Sequence, residues 1–289
     1  MKKKAYIYVI LAGMLWGTSG IFFKALEPYG FSPLQMTTMR AVISAICMIA
    51  YIAVKDRKLL KASGKELILF LCSGVCIFGT ASCYFLSIEA SSVTTAVILM
   101  YTAPVFVMAF SCLFLGEKFS LAKGISVVLV IVGCALVSGI AGGMTVNLPG
   151  VFFGLISGIA YSAYSIFTKI SSMRGTDSLK GSMYAFTVMG VIASFASDTV
   201  GIGEAAVAQP FPLVLLIVGI GVCTCFLPYV FYNLALRDLP AGTVSAMVII
   251  EPVAASVFSV FMGETLGIPA IIGIVLVLVA VVVLGKSDK

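Results

Sequence analysis

The chain has 289 residues, of which 61% are hydrophobic and 10% charged, and its mean hydropathy is +1.17. A soluble domain carries about 25% charged residues, so the apolar excess here needs hydrocarbon around it and the chain reads as a polytopic membrane protein. Histidine is absent, which excludes His-based metal sites, Ser-His and Cys-His nucleophile pairs and histidine pH switches.

Ten apolar runs follow one another at 6–26, 33–55, 66–86, 92–116, 121–139, 147–169, 180–198, 212–236, 241–263 and 267–285. Crossing ~30 Å of hydrocarbon takes about 20 helical residues. Their hydrophobicity is continuous rather than alternating, which predicts helices and argues against a barrel. Lys2–Lys4 before the first run imitate a signal peptide, but the length of that run and the nine spans after it predict a retained helix.

The net charge of +6 is an orientation signal rather than a nucleic-acid one. With both termini cytoplasmic, 16 of the 18 basic residues fall on the inner side, leaving Lys24 outside and Arg40 within a span. The basic stretch 55–65 is then a topology anchor. All eight cysteines lie inside the runs and read as small hydrophobes, with neither a disulfide framework nor a soft-metal path expected.

The chain also resembles itself at a spacing of about 147 residues. GMLWGTSGIFFK (13–24) lies over GIAYSAYSIFTK (158–169), and YFLSIEASSVTTAVILMYTAPV (84–105) over YNLALRDLPAGTVSAMVIIEPV (232–253), aligning Pro104 with Pro252. FLGEKFS (114–120) matches FMGETLG (261–267) after a one-residue slip. Each half, 1–142 and 143–289, holds five spans. An odd number turns the second copy upside down, a device of alternating-access carriers.

These motifs are similar to those of the EamA-type, ten-helix members of the drug/metabolite transporter superfamily. The resemblance covers nearly the whole chain. It rests on Trp16, Gly17 and Lys24 in the first helix, Arg40 in the second, and Pro104, Gly116, Glu117 and Gly124 echoed by Pro252, Gly263, Glu264 and Gly273. It implies an all-α membrane fold, ten helices arranged as two inverted five-helix repeats around a central cavity, and often export of amino acids or related metabolites. One departure matters. Four-helix multidrug relatives carry a membrane-embedded Glu eight positions before the first-helix Lys, where this chain has Trp16, with Tyr161 as its repeat mate. That makes a proton-coupled multidrug exporter a poor fit.

Ionisable groups inside spans cost about 2.5–3.5 kcal/mol on insertion scales. Arg40 and Glu251 are the deeply placed ones. Either Arg40 holds a substrate carboxylate while Glu251 meets an amine or carries a coupling proton, or the two pair with each other or with backbone carbonyls. Pro252 would free a carbonyl beside Glu251. Trp16, Tyr84, Tyr101, Tyr161, Tyr164, Tyr229 and Asn233 lie on helices that the resemblance places around the cavity; an aromatic lining suits a small amphipathic solute, with ordinary packing as the alternative. Ser and Thr in SSVTTA (91–96) are expected to bond across helices. Glu117 and Glu264 read as surface anchors or partners of nearby bases. Glycines at 13, 17, 20, 154, 158, 219 and 221 predict close helix approach.

The expected function is secondary transport of a small metabolite, by export or alternatively as an uptake carrier for a nutrient or vitamin-like solute, or as a lipid-intermediate flippase. Protons are a candidate coupling ion and the bilayer the partner surface. No nucleic acid, cofactor, metal or catalytic residue is implied, and a monomer suffices.

Overall fold

A computed structural model of the chain describes residues 2–114, 121–137, 147–236, 238–239, 247–248 and 250–287. All regular structure among the described residues is helical. In chain order the helices are α1 (Lys2–Gly17), α2 (Ser19–Leu26), α3 (Pro33–Lys55), α4 (Gly64–Ala90), α5 (Val93–Met100), α6 (Ala103–Phe114), α7 (Leu121–Val137) and α8 (Leu148–Met173). They continue with α9 (Ser178–Ala196), α10 (Thr199–Ala208), α11 (Pro210–Gly221), α12 (Leu227–Leu236), α13 (Ile250–Phe261) and α14 (Ile268–Ser287). A π turn at Val222–Phe226 joins α11 to α12.

Among the described residues six stretches are long and apolar enough to cross a membrane: Lys3–Tyr29, Pro33–Lys55, Gly64–Ala90, Leu148–Met173, Ser178–Ala196 and Phe211–Leu236. Shorter apolar helices lie in the other four predicted runs. Large apolar side chains such as Ile46, Ile68, Leu71, Val75, Ile131, Phe195, Leu215 and Ile271 stay exposed, as a lipid-facing surface requires.

Helix ends are set by side chains that occupy orphan backbone N–H groups. Ser32 with Gln35 and Ser63 with Glu66 form capping boxes at α3 and α4. Ser92, Asn147, Asp177 and Asp198 cap α5, α8, α9 and α10. The helix α10 was not expected from the apolar runs. It is a short segment capped by Asp198, whose Oδ1 accepts from Gly201 N at 3.0 Å, and it contributes no buried residue.

Among the described residues four predicted spans are not uniform helices: span nine turns at Val248, and three others change within their length. Span one turns at Thr18 between α1 and α2, span four breaks at Tyr101–Thr102, and span eight carries the π turn. Hydrophobicity marks a span but is blind to a local change of helical hydrogen bonding.

The two halves interlock rather than stand apart. The most extensive pairing is α4 with α8, one helix from each half, and α7 with α14 and α3 with α9 also cross between halves. Exchanging the halves preserves the pattern: α4 on α8 is matched by α12 on α1, and α5 on α8 by α13 on α1. Apolar side chains form one core around Phe23, Leu26, Phe85 and Ile88, near the end of the molecule marked by Gly30. A second core around Met48, Ile52, Leu179 and Met183 lies toward the end marked by Gly64.

Candidate substrate site

The site is built where two helices break. In the first half α5 stops at Met100 and α6 begins at Ala103, with Thr102 N turning back to Leu99 O at 3.1 Å. In the second half Val248 is a turn residue and α13 begins at Ile250, with Glu251 N on Val248 O at 2.9 Å. Prolines explain both. Pro104 and Pro252 lack the N–H that would have bonded to the carbonyl four residues earlier. The carbonyl freed by Pro252 is Val248 O, and Tyr101 Oη comes within 3.2 Å of it while donating to Glu251 Oε2 at 2.9 Å. The broken helix of one half thus supplies the tyrosine that reaches the acid on the broken helix of the other.

Glycines let the neighbouring helices come close to both breaks. A Cβ at Gly158 of α8 would lie 3.1 Å from Leu99 O and 3.2 Å from Met100 O. A Cβ at Gly17 of α1 would lie 3.2 Å from Glu251 O and 2.8 Å from the Ala254 Cβ. The other glycines expected at close approaches, including Gly13, Gly20, Gly154, Gly219 and Gly221, also abut neighbouring chain.

Arg40 is not ion-paired with Glu251 among the described residues. Its Nη2 donates to Thr224 O at 3.2 Å and its Nε to Cys225 Sγ at 2.7 Å, with the guanidinium carbon 5.8 Å from the centre of the Phe85 ring. Both acceptors sit in the π turn, where widened bonding leaves a carbonyl pointing out of the helix. Thr224 Oγ1 donates to Ile220 O, in the last turn of α11. Cys225 is therefore more than a small hydrophobe: its sulfur accepts from a cation.

The aromatics close the space between. Trp16 meets Tyr229 edge to face at 5.2 Å, and Tyr229 meets Phe186 at 4.8 Å. Tyr161 stacks on Tyr164 at 6.0 Å. Tyr84, Tyr101 and Tyr161 lie near Glu251, and Tyr84 and Tyr229 near Arg40. Trp16, Arg40, Tyr84, Tyr101, Tyr161, Tyr229 and Glu251 thus form one cluster, with Tyr164 behind it, at the seam between the two cores. Asn233 is set apart. Its Oδ1 accepts from Ser178 Oγ at the start of α9 and its Nδ2 donates to Tyr229 O at 2.7 Å, which puts its amide toward the Gly64 end.

Among the described residues Glu264 pairs with no base and instead caps a helix of the other half. Its carboxylate accepts from Val93 N at 2.8 Å, Thr94 N at 3.3 Å and Thr94 Oγ1 at 3.1 Å, closing the N-terminus of α5. Negative charge is favoured there by the helix dipole. Thr94 Oγ1 also meets Ser259 Oγ at 2.7 Å, the cross-helix bonding expected of the 91–96 stretch. Glu117, the repeat mate of Glu264, lies outside the described residues. The residues that sequence reasoning left out are Thr224, Cys225 and Phe85, none of which carries a motif; only the buried charge of Arg40 announced that it needed partners.

Chemically, the cluster offers a carboxylate for an ammonium group or a proton, a guanidinium with Nη1 uncommitted among the described residues, and aromatic faces for apolar or cationic groups.

A membrane-embedded helical chain with such a cluster between two repeats belongs to the class of solute transporters, and relatives bear this out. The sequence pattern of the EamA-like transporter family matches residues 3–139 and again 148–286. The chain belongs to the EamA-like transporter family and is a multi-pass integral membrane protein. It is 25% identical to an uncharacterized transporter of Clostridium kluyveri, over 99% of this chain and 94% of the relative. It is 23% identical to the uncharacterized transporter YwfM of Bacillus subtilis, over 100% of this chain and 96% of that one. Mouse solute carrier family 35 member G1 matches at 24% identity over 47% of this chain and 38% of its own length. A solved crystal structure shares the fold at a TM-score of 0.64, with 15% identity over all of both chains.

Proposed function

We propose that the protein is a secondary carrier that exports small amino-acid-like metabolites, or related carboxylates and amines, by alternating access. Its ten spans form two inverted five-helix repeats, 1–142 and 143–289, with both termini and the Gly64 end in the cytoplasm and the Gly30 end outside. The positive-inside distribution supports this orientation. The observation that carries the reading is the Tyr101–Glu251 bond at 2.9 Å between equivalent helix breaks of the two halves, because discontinuous helices in corresponding positions mark binding sites in repeat-built carriers. Glu251 receives the substrate amine or a coupling proton, Arg40 the carboxylate through its uncommitted nitrogen, and the ring of Trp16, Tyr84, Tyr101, Tyr161 and Tyr229 the carbon skeleton. Asn233 meets the solute on its way in from the cytoplasm.

Counterflow in proteoliposomes against a panel of amino acids, carboxylates and amines tests this reading. Exchange is expected for at least one class and is expected to fall at least about tenfold in Glu251→Gln, a loss of about 1.4 kcal/mol or more. Exchange that proceeds unchanged in the variant at every pH removes Glu251 from the site; absence of exchange for the whole panel overturns the substrate class.

A further inference from the structure

We infer that the turn joining α3 to α4 is a binding surface for anionic phospholipid, its basic side chains meeting the headgroup phosphates of lipids packed against the two helices. Residues 55–65 hold five basic side chains, Lys55, Arg57, Lys58, Lys61 and Lys65, against one acid, Asp56. All six are exposed. Among the described residues none of the five pairs with an acid, and Asp56 spends Oδ1 on the N–H of Lys58 at 3.0 Å.

Charge that orients a chain has done its work once the chain is inserted, so the count of lysines alone makes no lipid site. Placement does. The turn is fixed rather than loosely solvated: Arg57–Leu60 is a short 3-10 helix, Leu59 and Leu60 pack against the second core, and Leu60 O accepts from Tyr184 Oη at 2.7 Å. It is also bordered on both sides by lipid-facing residues. Val54, directly before Lys55, is 91% exposed, and Leu67 and Ile68, just after Lys65, are exposed as well. A lipid whose acyl chains cover these side chains has its phosphate at the level of the turn.

The direction of two cations is the independent pointer. Lys55 Nζ turns back one helical turn to donate to Tyr51 Oη at 2.7 Å and lies 4.9 Å from the centre of that ring. Arg57 Nε turns back to Ala53 O at 3.1 Å. Long cationic side chains at a membrane surface ordinarily carry their charge out to water. These two bend toward the hydrocarbon side, where water is scarcest and phosphate oxygens are the acceptors at hand. Capping of the last helical carbonyls uses one N–H of Arg57. Its Nη1 and Nη2, and the other two protons of Lys55, have no partner among the described residues. Phosphate takes such donors in charge-assisted bonds, and a cluster of basic residues at the membrane end of a helix favours lipids of net negative charge. Which leaflet supplies the lipid follows from the orientation proposed above; binding itself does not depend on it.

The test is retention of radioactive phosphatidylglycerol by the purified full-length protein in mixed detergent micelles, competed with unlabelled phosphatidylglycerol, phosphatidylcholine or soluble glycerol phosphate. Saturable retention is expected, displaced by phosphatidylglycerol and by neither of the others, and weakening as salt is raised. Affinity is expected to fall at least about tenfold when Lys55→Gln, Arg57→Gln and Lys61→Gln are combined, and to stay within about twofold when Lys3→Gln, Lys4→Gln and Arg174→Gln remove three cations of the same end outside the turn. Thermal midpoints confirm that both variants fold; should the first not fold, Lys61→Glu alone is expected to weaken retention several-fold. Retention no tighter for phosphatidylglycerol than for phosphatidylcholine, displacement by glycerol phosphate, or equal loss in the two variants overturns the inference. Counterflow with the same preparations separates it from the carrier reading: selective lipid retention without exchange of any solute leaves the surface standing and sinks the carrier, while exchange without lipid selectivity does the reverse.

Discussion

The two ends of the molecule are each fastened by a glutamate that crosses between halves, and they are fastened differently. At the Gly30 end Glu264 of the second half accepts two backbone N–H groups and a hydroxyl of α5, three directional bonds from neutral donors. At the Gly64 end Glu66 of the first half meets the Lys180 ammonium, a charge pair whose side chains are 24% and 11% exposed, with Thr176 Oγ1 on the same carboxylate oxygen at 3.4 Å and Tyr184 Oη on Leu60 O at 2.7 Å. A carboxylate on a helix terminus leaves buried amides bare when it goes. An ion pair whose carboxylate is partly exposed leaves that carboxylate to water when the lysine goes. In a carrier that alternates, the second kind of closure opens at lower cost.

That contrast can be broken by substitution. Glu264→Ala has the largest expected effect, about 1–3 kcal/mol, because Val93 N and Thr94 N lose their acceptor; the thermal midpoint of the purified protein reads it. Gly17→Leu follows closely, since even its Cβ falls 2.8 Å from that of Ala254, and overpacking costs about 1–3 kcal/mol. A version that folds yet has lost exchange would mean that α1 slides on α13 during transport; unchanged exchange would reject sliding. Ser92→Ala, which removes the α5 cap to Thr95 N at 3.0 Å, is expected to cost about 1 kcal/mol. Lys180→Met should be the mildest, because the Glu66 carboxylate it leaves is 24% exposed and keeps its bonds from Ser63, and the cost should shrink as salt is raised. A Lys180→Met midpoint as low as that of Glu264→Ala would erase the distinction between the ends.

Much of this architecture was legible in the sequence because hydrocarbon imposes so few choices on a chain. An apolar run of the right length must be a helix, so the cores of α3, α4, α8, α9 and α14 fall where the runs do. Pro252 made the freed carbonyl beside Glu251 foreseeable, whereas spans four and nine read as continuous helices and their breaks were not expected. The partner of Glu251 was not foreseeable either. Tyr101 lies 150 residues from Glu251, and only the interlocking of the halves brings them together. The π turn escaped for another reason. Val222–Phe226 contains neither glycine nor proline, so nothing local marks the carbonyl and thiol that hold Arg40. Glu264 was misjudged because a glutamate beside a helix end suggests water, and the helix it serves is a different one. Asn233 stands on the expected helix, but the Ser178 hydroxyl draws it to one end.

The account turns on two copies that enter the bilayer in opposite senses. Single cysteines introduced at Lys61, Arg174, Glu89 and Thr199, all exposed, test this with a membrane-impermeant thiol reagent applied from either side. Lys61→Cys and Arg174→Cys are predicted to label only from the cytoplasm, and Glu89→Cys and Thr199→Cys only from outside. Labelling of positions 61 and 174 from opposite faces would contradict the inverted pair and the carrier built on it.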